Sequence, residues 1–283
     1  MTMARDESVM LPRWVRYYGE QVGYHNLLVL DDQTVDGSTT DLPCPVIRLP
    51  QLPGGKWYEP TRMDLASGLA AGLLVVHDFV VFVDADEFLI PDPARYDGLL
   101  PFLAARADHP VVAGTALNVM HLVDLEPPLR SDEPLLGQRR FGKYVPIMCK
   151  PSIKRIPAAW YHSSHGIMAP FEPDPDLFMI HLKFADRDTM VGTAARRNAV
   201  IDVDGRAEKS SWRLSPEDLD RLLAEWAAGY NPDGVPEFDP HSVNLSAVVA
   251  QRQMGSYKAR GGQLGAMKKQ PLVRVPERLY GRV

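Results

Sequence analysis

The sequence predicts an α/β protein with a mostly parallel central sheet, helices on both faces and a helical appendage at the C-terminal end. Three observations carry this. Short apolar runs recur and stop at carboxylates, as in Phe79-Val80-Val81-Phe82-Val83 before Asp84-Ala85-Asp86-Glu87. Helical stretches alternate with those runs, the pattern of strands joined by crossovers. Beyond about residue 205 the pattern changes to helix signals and a basic tail, so residues 1–205 are expected as one domain and 206–283 as an extension.

The chain has 283 residues, 45% hydrophobic and 24% charged, an ordinary globular composition. A net charge of -5 speaks against nucleic acid as a partner, whose binders are normally basic. Two cysteines, Cys44 and Cys149, make no disulfide framework, and a cytoplasmic protein is expected. Residues 1–7 lack an apolar core, so no secretory leader is expected. The most apolar stretch, 65–76, is broken by His77-Asp78 and falls short of the roughly 20 residues that a membrane span needs.

Residues 2–4 read as a minimal first strand, giving way to Arg5-Asp6-Glu7. Ser8 is placed to cap a helix to about Val22, with Met10, Trp14, Tyr17 and Tyr18 on its apolar face. Residues 27–30 form a buried strand ending at Asp31-Asp32, and the loop through Asp36-Gly37-Ser38-Thr39 is rich in turn residues. Residues 46–49 read as a third strand. Gly54-Gly55-Lys56-Trp57 is either a phosphate or base contact or a surface turn. A helix over 61–76 follows, with Arg62 in its first turn near the same sheet edge as the acids.

Strand 79–83 then delivers Asp84 and Asp86, which flank a single alanine. Two carboxylates that close repel unless a cation lies between them. Either they hold a hard divalent metal, or one caps the next element and the other is solvated. A helix at 99–107 leads to a strand at 111–117, expected beside the acid-tipped one.

At this point the residues resemble a known family. Ala4-Arg5-Asp6-Glu7, Asp31-Asp32, Asp36-Gly37-Ser38-Thr39 and Val83-Asp84-Ala85-Asp86-Glu87-Phe88-Leu89 look like the family 2-like glycosyltransferases, in the bacterial branch with Asp-Glu-Phe. The likeness covers the first third to half of the chain, and more weakly to about residue 200. It implies a GT-A, Rossmann-like sandwich and transfer of a sugar from a nucleotide-diphosphate sugar to a small-molecule or glycan acceptor, with inversion. It implies Mn²⁺ or Mg²⁺ at Asp84 and Asp86, the nucleoside at Asp32, and nucleotide contacts at Arg5 and Glu7. Lys56 and Arg62 fall where basic donor contacts are expected.

Further along, 124–140 is a Pro-rich excursion and 152–156 a strand, followed by His162 and His165 near a turn. In 177–184, Phe178, Ile180, Leu182 and Phe184 share one face, so His181 and Lys183 emerge together on the other. Metal sites of this family often include a downstream histidine; His181 is the first choice and His165 the second. Asp186 is placed to cap a helix to about Ile201 and is the expected base, with Glu172 and Asp174 as rivals. Ser215-Pro216-Glu217-Asp218 opens a helix with Leu219, Leu222, Leu223 and Trp226 buried and Gly229 as its stop. Residues 243–254 read as another helix. From Gly255 onward, seven Lys or Arg against one acid form a tail expected to be solvated. Two other readings stay open: a phosphotransferase or phosphatase using Asp84 as nucleophile, and a nucleotide-binding protein with an inactive transferase fold.

Overall fold

The computed structural model describes residues 1–161, 163–206, 213–228 and 230–283; the expected helix stop Gly229 and His162 lie outside them. The chain is mixed α/β. Strands β1 (Thr2–Ala4), β2 (Val29–Asp31) and β3 (Val46–Arg48) form a parallel sheet in that order. Between β1 and β2 runs α1 (Met10–Val22), which buries Met10, Trp14, Tyr17 and Tyr18 as its spacing requires. Its first turn carries no side-chain cap, so Ser8 does not serve as one. After β3 comes α2 (Tyr58–Leu73), whose buried face of Met63, Ala66, Ser67 and Ala70 is small enough for close packing.

The expected acid-tipped strand is short: β4 is Val80–Val81. The Met1 amine donates to the Val81 carbonyl at 2.6 Å and the Val83 N–H to the Met1 carbonyl at 3.4 Å. One residue bonded to two that lie two apart is the pattern of a parallel pair, so β4 runs alongside β1. The ends of β1, β2 and β4 therefore lie on one edge.

The larger sheet departs from the expected mostly parallel form. It contains β5 (Glu87–Pro91), β6 (Val111–Met120), β7 (Phe141–Tyr144), β8 (Ile153–Lys154) and β10 (Pro173–Phe184). The strand β13 (Leu272–Arg274) closes the order β13-β7-β6-β10-β5, and β8 bridges β6 to β4. Only β10 and β6 pair in parallel; every other pair in it is antiparallel. The strand at 111–120 thus lies next to β8 rather than beside β4. The shorter helices α3 (Leu99–Ala104) and α4 (Leu135–Gln138) lie in the connections.

After β10, Asp186 caps α5 (Arg187–Asp204) by accepting the Thr189 N–H at 3.0 Å. Ser215 caps α6 (Pro216–Ala227) through the Asp218 N–H, also at 3.0 Å. The helix expected over 243–254 is replaced by short turns and β11 (Val249–Gln251). The basic tail is woven into the fold rather than solvated. It forms β12 (Tyr257–Ala259), which joins β11 to β9 (Gly166–Ile167), then α7 (Gln263–Lys269) and β13. Apolar residues such as Ala259, Met267, Leu272 and Val275 are buried among its charges and hold it down. The extension is therefore not purely helical. The main core gathers α1, β5, β6 and β10 around Phe88, Phe102, Phe178 and Phe184.

Candidate functional site

The tips of β1, β2 and β4 open onto a cavity of about 410 Å³. Local backbone shapes its mouth. Asp6 adopts φ 53°, in the left-handed region, and its Oδ1 accepts the N–H groups of Val35 and Asp36 at 2.8 and 3.1 Å. The loop after β2 is thus tied to the turn after β1. A Cβ at Gly54 would meet the Asp204 carbonyl at 2.2 Å, so only glycine lets the loop before α2 abut the end of α5.

Asp32 is 1% exposed. Its Oδ2 accepts from the Tyr58 hydroxyl at 2.8 Å and from Arg206 at 2.6 Å, and the Arg206 guanidinium lies 4.1 Å from the centre of the Tyr58 ring. Its Oδ1 has no hydrogen-bond partner among the described residues. A buried acceptor left open is costly; the oxygen itself is shut off from the surface, while the Asp32 side chain as a whole borders the cavity.

A second group gathers on the Asp-x-Asp stretch. Asp84 accepts from Arg62 through Oδ1 and from the Lys150 ammonium through Oδ2, the latter at 3.0 Å. Lys150 also donates to Glu87 Oε1, and Glu87 Oε2 accepts the Asp84 N–H at 3.1 Å. Burial alone would push the Asp84 carboxyl up; the charges of Lys150 and Arg62 overcome it and hold it well below the usual aspartate range.

Asp86 faces a different partner. His181 Nε2 lies 3.5 Å from Asp86 Oδ2, while Nδ1 is 3.1 Å from Asn118 Oδ1. Nδ1 also lies 3.3 Å from Gln263 Nε2, and Nε2 is the ring nitrogen turned toward Asp86, the one that could bind a metal once it carries no proton. The neighbouring His181 and the charge of Arg197 outweigh burial and bring the Asp86 carboxyl down to about 2. Donor atoms of Asp86, Glu87 and His181 lie within 4.8 Å of one another. Two carboxylates and an imidazole nitrogen suit Mn²⁺ well and Mg²⁺ through the oxygens, so the residues fit a divalent cation. The group differs from the expected Asp84, Asp86 and His181: Asp84 points at Arg62 and Lys150, and Glu87 comes within reach but is paired with Lys150 as well.

Glu7 completes the wall next to Asp86. Burial pushes its carboxyl up to about 7 against the charge of Arg197, whose guanidinium is 3.6 Å away. Lys183 shares the wall with His181, as strand alternation predicts. Burial and the Arg197 charge bring its ammonium down to about 8. His165 also lines the cavity, its Nδ1 2.8 Å from the Ile147 carbonyl, and burial pushes its ring down to about 3, so it stays neutral. The cavity wall carries seven carboxylates and seven Lys or Arg side chains. That balance leaves room for a divalent cation and a diphosphate to enter as a neutral pair.

Arg5, Glu7, Asp32, Arg62, Asp84, Asp86 and His181 are thus brought together. Lys56 is not: it is exposed and stacks its ammonium 5.1 Å from the Trp57 ring. Asp186 is not either, since helix capping and Arg139, 3.5 Å away, occupy it outside the cavity. Of its rivals, Glu172 is exposed and Asp174 pairs with Arg106 at 2.6 Å. Sequence reasoning missed Lys150, Arg196, Arg197, Arg206 and Gln263. Arg196 and Arg197 sit in the helix that Asp186 caps, and its phase relative to the His181 strand was the available signal. Lys150 carried a weaker one, a lone lysine between Cys149 and Pro151 ahead of a strand. No protein-family model matches the chain, and neither a search of curated proteins nor one of solved structures returns a match. No helix among the described residues is long and apolar enough to cross a membrane.

Proposed function

We propose that the protein is a metal-dependent glycosyltransferase with a GT-A-like arrangement, moving a sugar from a nucleotide-diphosphate sugar to an acceptor hydroxyl, in a cytoplasmic setting. The observation that carries this is the convergence of three parallel strand tips on one cavity that also holds the Asp86, Glu87 and His181 donor set. Ligands of open α/β sheets bind at such strand ends.

In this reading Asp32, Tyr58 and Arg206 hold the nucleoside. Arg5, Lys183, Arg196 and Arg197 line the same cavity and would meet the phosphates. Asp86 and His181, beside Glu87, would hold Mn²⁺ or Mg²⁺, which would supply Lewis-acid neutralisation of the departing diphosphate. Glu7 replaces Asp186 as the group that takes the acceptor proton, since a carboxyl raised to about 7 is suited to that task near neutral pH. The phosphotransferase alternative is disfavoured, because Arg62 and Lys150 engage both oxygens of Asp84 and blunt it as a nucleophile.

A thermal-shift screen of sugar nucleotides, with and without Mn²⁺, tests the binding half, since a ligand of the folded state raises apparent stability. With a donor so identified, Asp86→Ala lowers transfer by at least about 100-fold, the upper end of what losing a mere supporting contact costs at a metal. Undiminished transfer by that variant removes the proposal.

A further inference from the structure

Lys150 stands where a metal would compete. Its ammonium lies between Asp84 and Glu87, and both oxygens of Glu87 are engaged, one by Lys150 and one by the Asp84 N–H. Lys150 is 3% exposed and Glu87 1%. The lysine backbone is pinned as well: its N–H donates to the Met148 carbonyl at 2.7 Å, and its carbonyl accepts the Ser152 N–H at 2.8 Å. Little freedom remains for the ammonium to swing away. Against burial, the charges of Asp84 and Glu87 keep it protonated.

We propose that Lys150 is a built-in rival of the divalent cation: it occupies Glu87, leaves Asp86 and His181 as the metal's protein donors, and keeps metal affinity low. The inference rests on the metal half of the proposed function. Glu87 is a buried carboxylate and Asp84 a partly exposed one, and the buried charge above all must be matched by something positive. The chain supplies that charge itself, so a metal gains less by entering than the three converging donors suggest. With only two protein donors, the remaining positions on the metal fall to water and to the ligand.

The test is Mn²⁺ binding to the full chain without nucleotide, followed by calorimetry and by the electron-spin signal of free Mn²⁺. Lys150→Met keeps the side-chain length and removes the charge; it binds Mn²⁺ at least about tenfold tighter than wild type, because Glu87 loses its cationic partner while Asp84 keeps only Arg62. Glu87→Gln in the wild-type background changes affinity by less than about threefold, since only screened, through-space attraction is lost. Combining the two substitutions cancels most of the gain. Equal or weaker binding by Lys150→Met overturns the proposal. So does a tenfold loss on Glu87→Gln alone, a result that stands even if the lysine variant does not fold. Should no variant and not the wild type bind Mn²⁺, the metal reading of the function falls along with this one. Binding without the difference removes only the role given to Lys150.

Discussion

The two ends of β10 carry acid and base in similar measure but use them differently. At its start, Asp176 receives Arg95 on both oxygens at 2.6 Å, His241 at 3.1 Å and Arg106 at 3.2 Å, and Asp174 receives Arg106 at 2.6 Å. Every oxygen of Asp176 is spoken for within the protein. At its other end, His181 approaches Asp86 no closer than 3.5 Å, Lys183 lies over the Phe184 ring at 5.4 Å, and Asp32 across the cavity keeps an unmatched oxygen. The first cluster spends its charge on holding strands together. The second leaves an oxygen of Asp32 without a partner among the described residues. Counting charged residues would not separate them; asking which atoms lack partners does.

The sharpest way to break this contrast is at Asp32. Asp32→Asn keeps the shape but removes the charge opposite Arg206, and weakens nucleotide binding by about 10- to 100-fold, the worth of a charged hydrogen bond. Calorimetric titration with the nucleotide identified in the stability screen measures it, and an unchanged dissociation constant would show that Asp32 holds no ligand.

A smaller effect is expected at Glu7. Its ordinary value is 4.5 and burial raises it to about 7. Between those values the folded protein keeps a proton that the unfolded chain releases, so Glu7 erodes stability as pH rises through this window. Above pH 7 it also adds a negative charge next to an incoming diphosphate. Nucleotide affinity therefore falls by about threefold from pH 6 to pH 8. Glu7→Gln flattens both trends; a variant that keeps the wild-type pH profile would remove Glu7 from the account.

Asp176→Ala is expected to leave nucleotide affinity where it was and to cost stability alone. Its hydrogen bonds and charge contacts with Arg95, and the charge of His241, outweigh burial and hold the carboxyl below its ordinary 3.8. The group thus contributes fully above that pH, and its contribution is lost as pH falls through the lowered value. The cost is about 1–2 kcal/mol at neutral pH, discounted because Arg95 is half exposed, and it shrinks in acid. Denaturant melts at pH 7 and pH 3 check both statements.

Much of the first half was legible because its signals are local. Asp32 and Asp84 mark strand ends by interrupting apolar runs, and the parity of 177–184 puts His181 and Lys183 on one side whatever lies next to them. Strand direction is not written that way. An apolar run reads alike in a parallel and an antiparallel pair, so the mostly antiparallel character of the larger sheet was invisible, as was the insertion of β8 between β4 and β6. The missed site residues have the same cause. Lys150 meets Asp84 across 66 positions and Arg206 meets Asp32 across 174, and no local pattern records such meetings. Asp186 was misjudged for a related reason: the features that make a helix cap are the features that suggested a free carboxylate.

One row of the larger sheet has a practical consequence. His181 on β10 is paired in register with Glu87 on β5 and with Asn118 on β6, three side chains on neighbouring rungs of adjacent strands. Spacing along that row is dictated by main-chain ladder bonds rather than by the side chains. A substitution at any of these positions therefore arrives at the same address with a different chemical head. For the proposed metal site, His181 is the place in that row where oxygen, nitrogen or sulfur donors can be exchanged and their preferences among cations compared without the scaffold being redrawn.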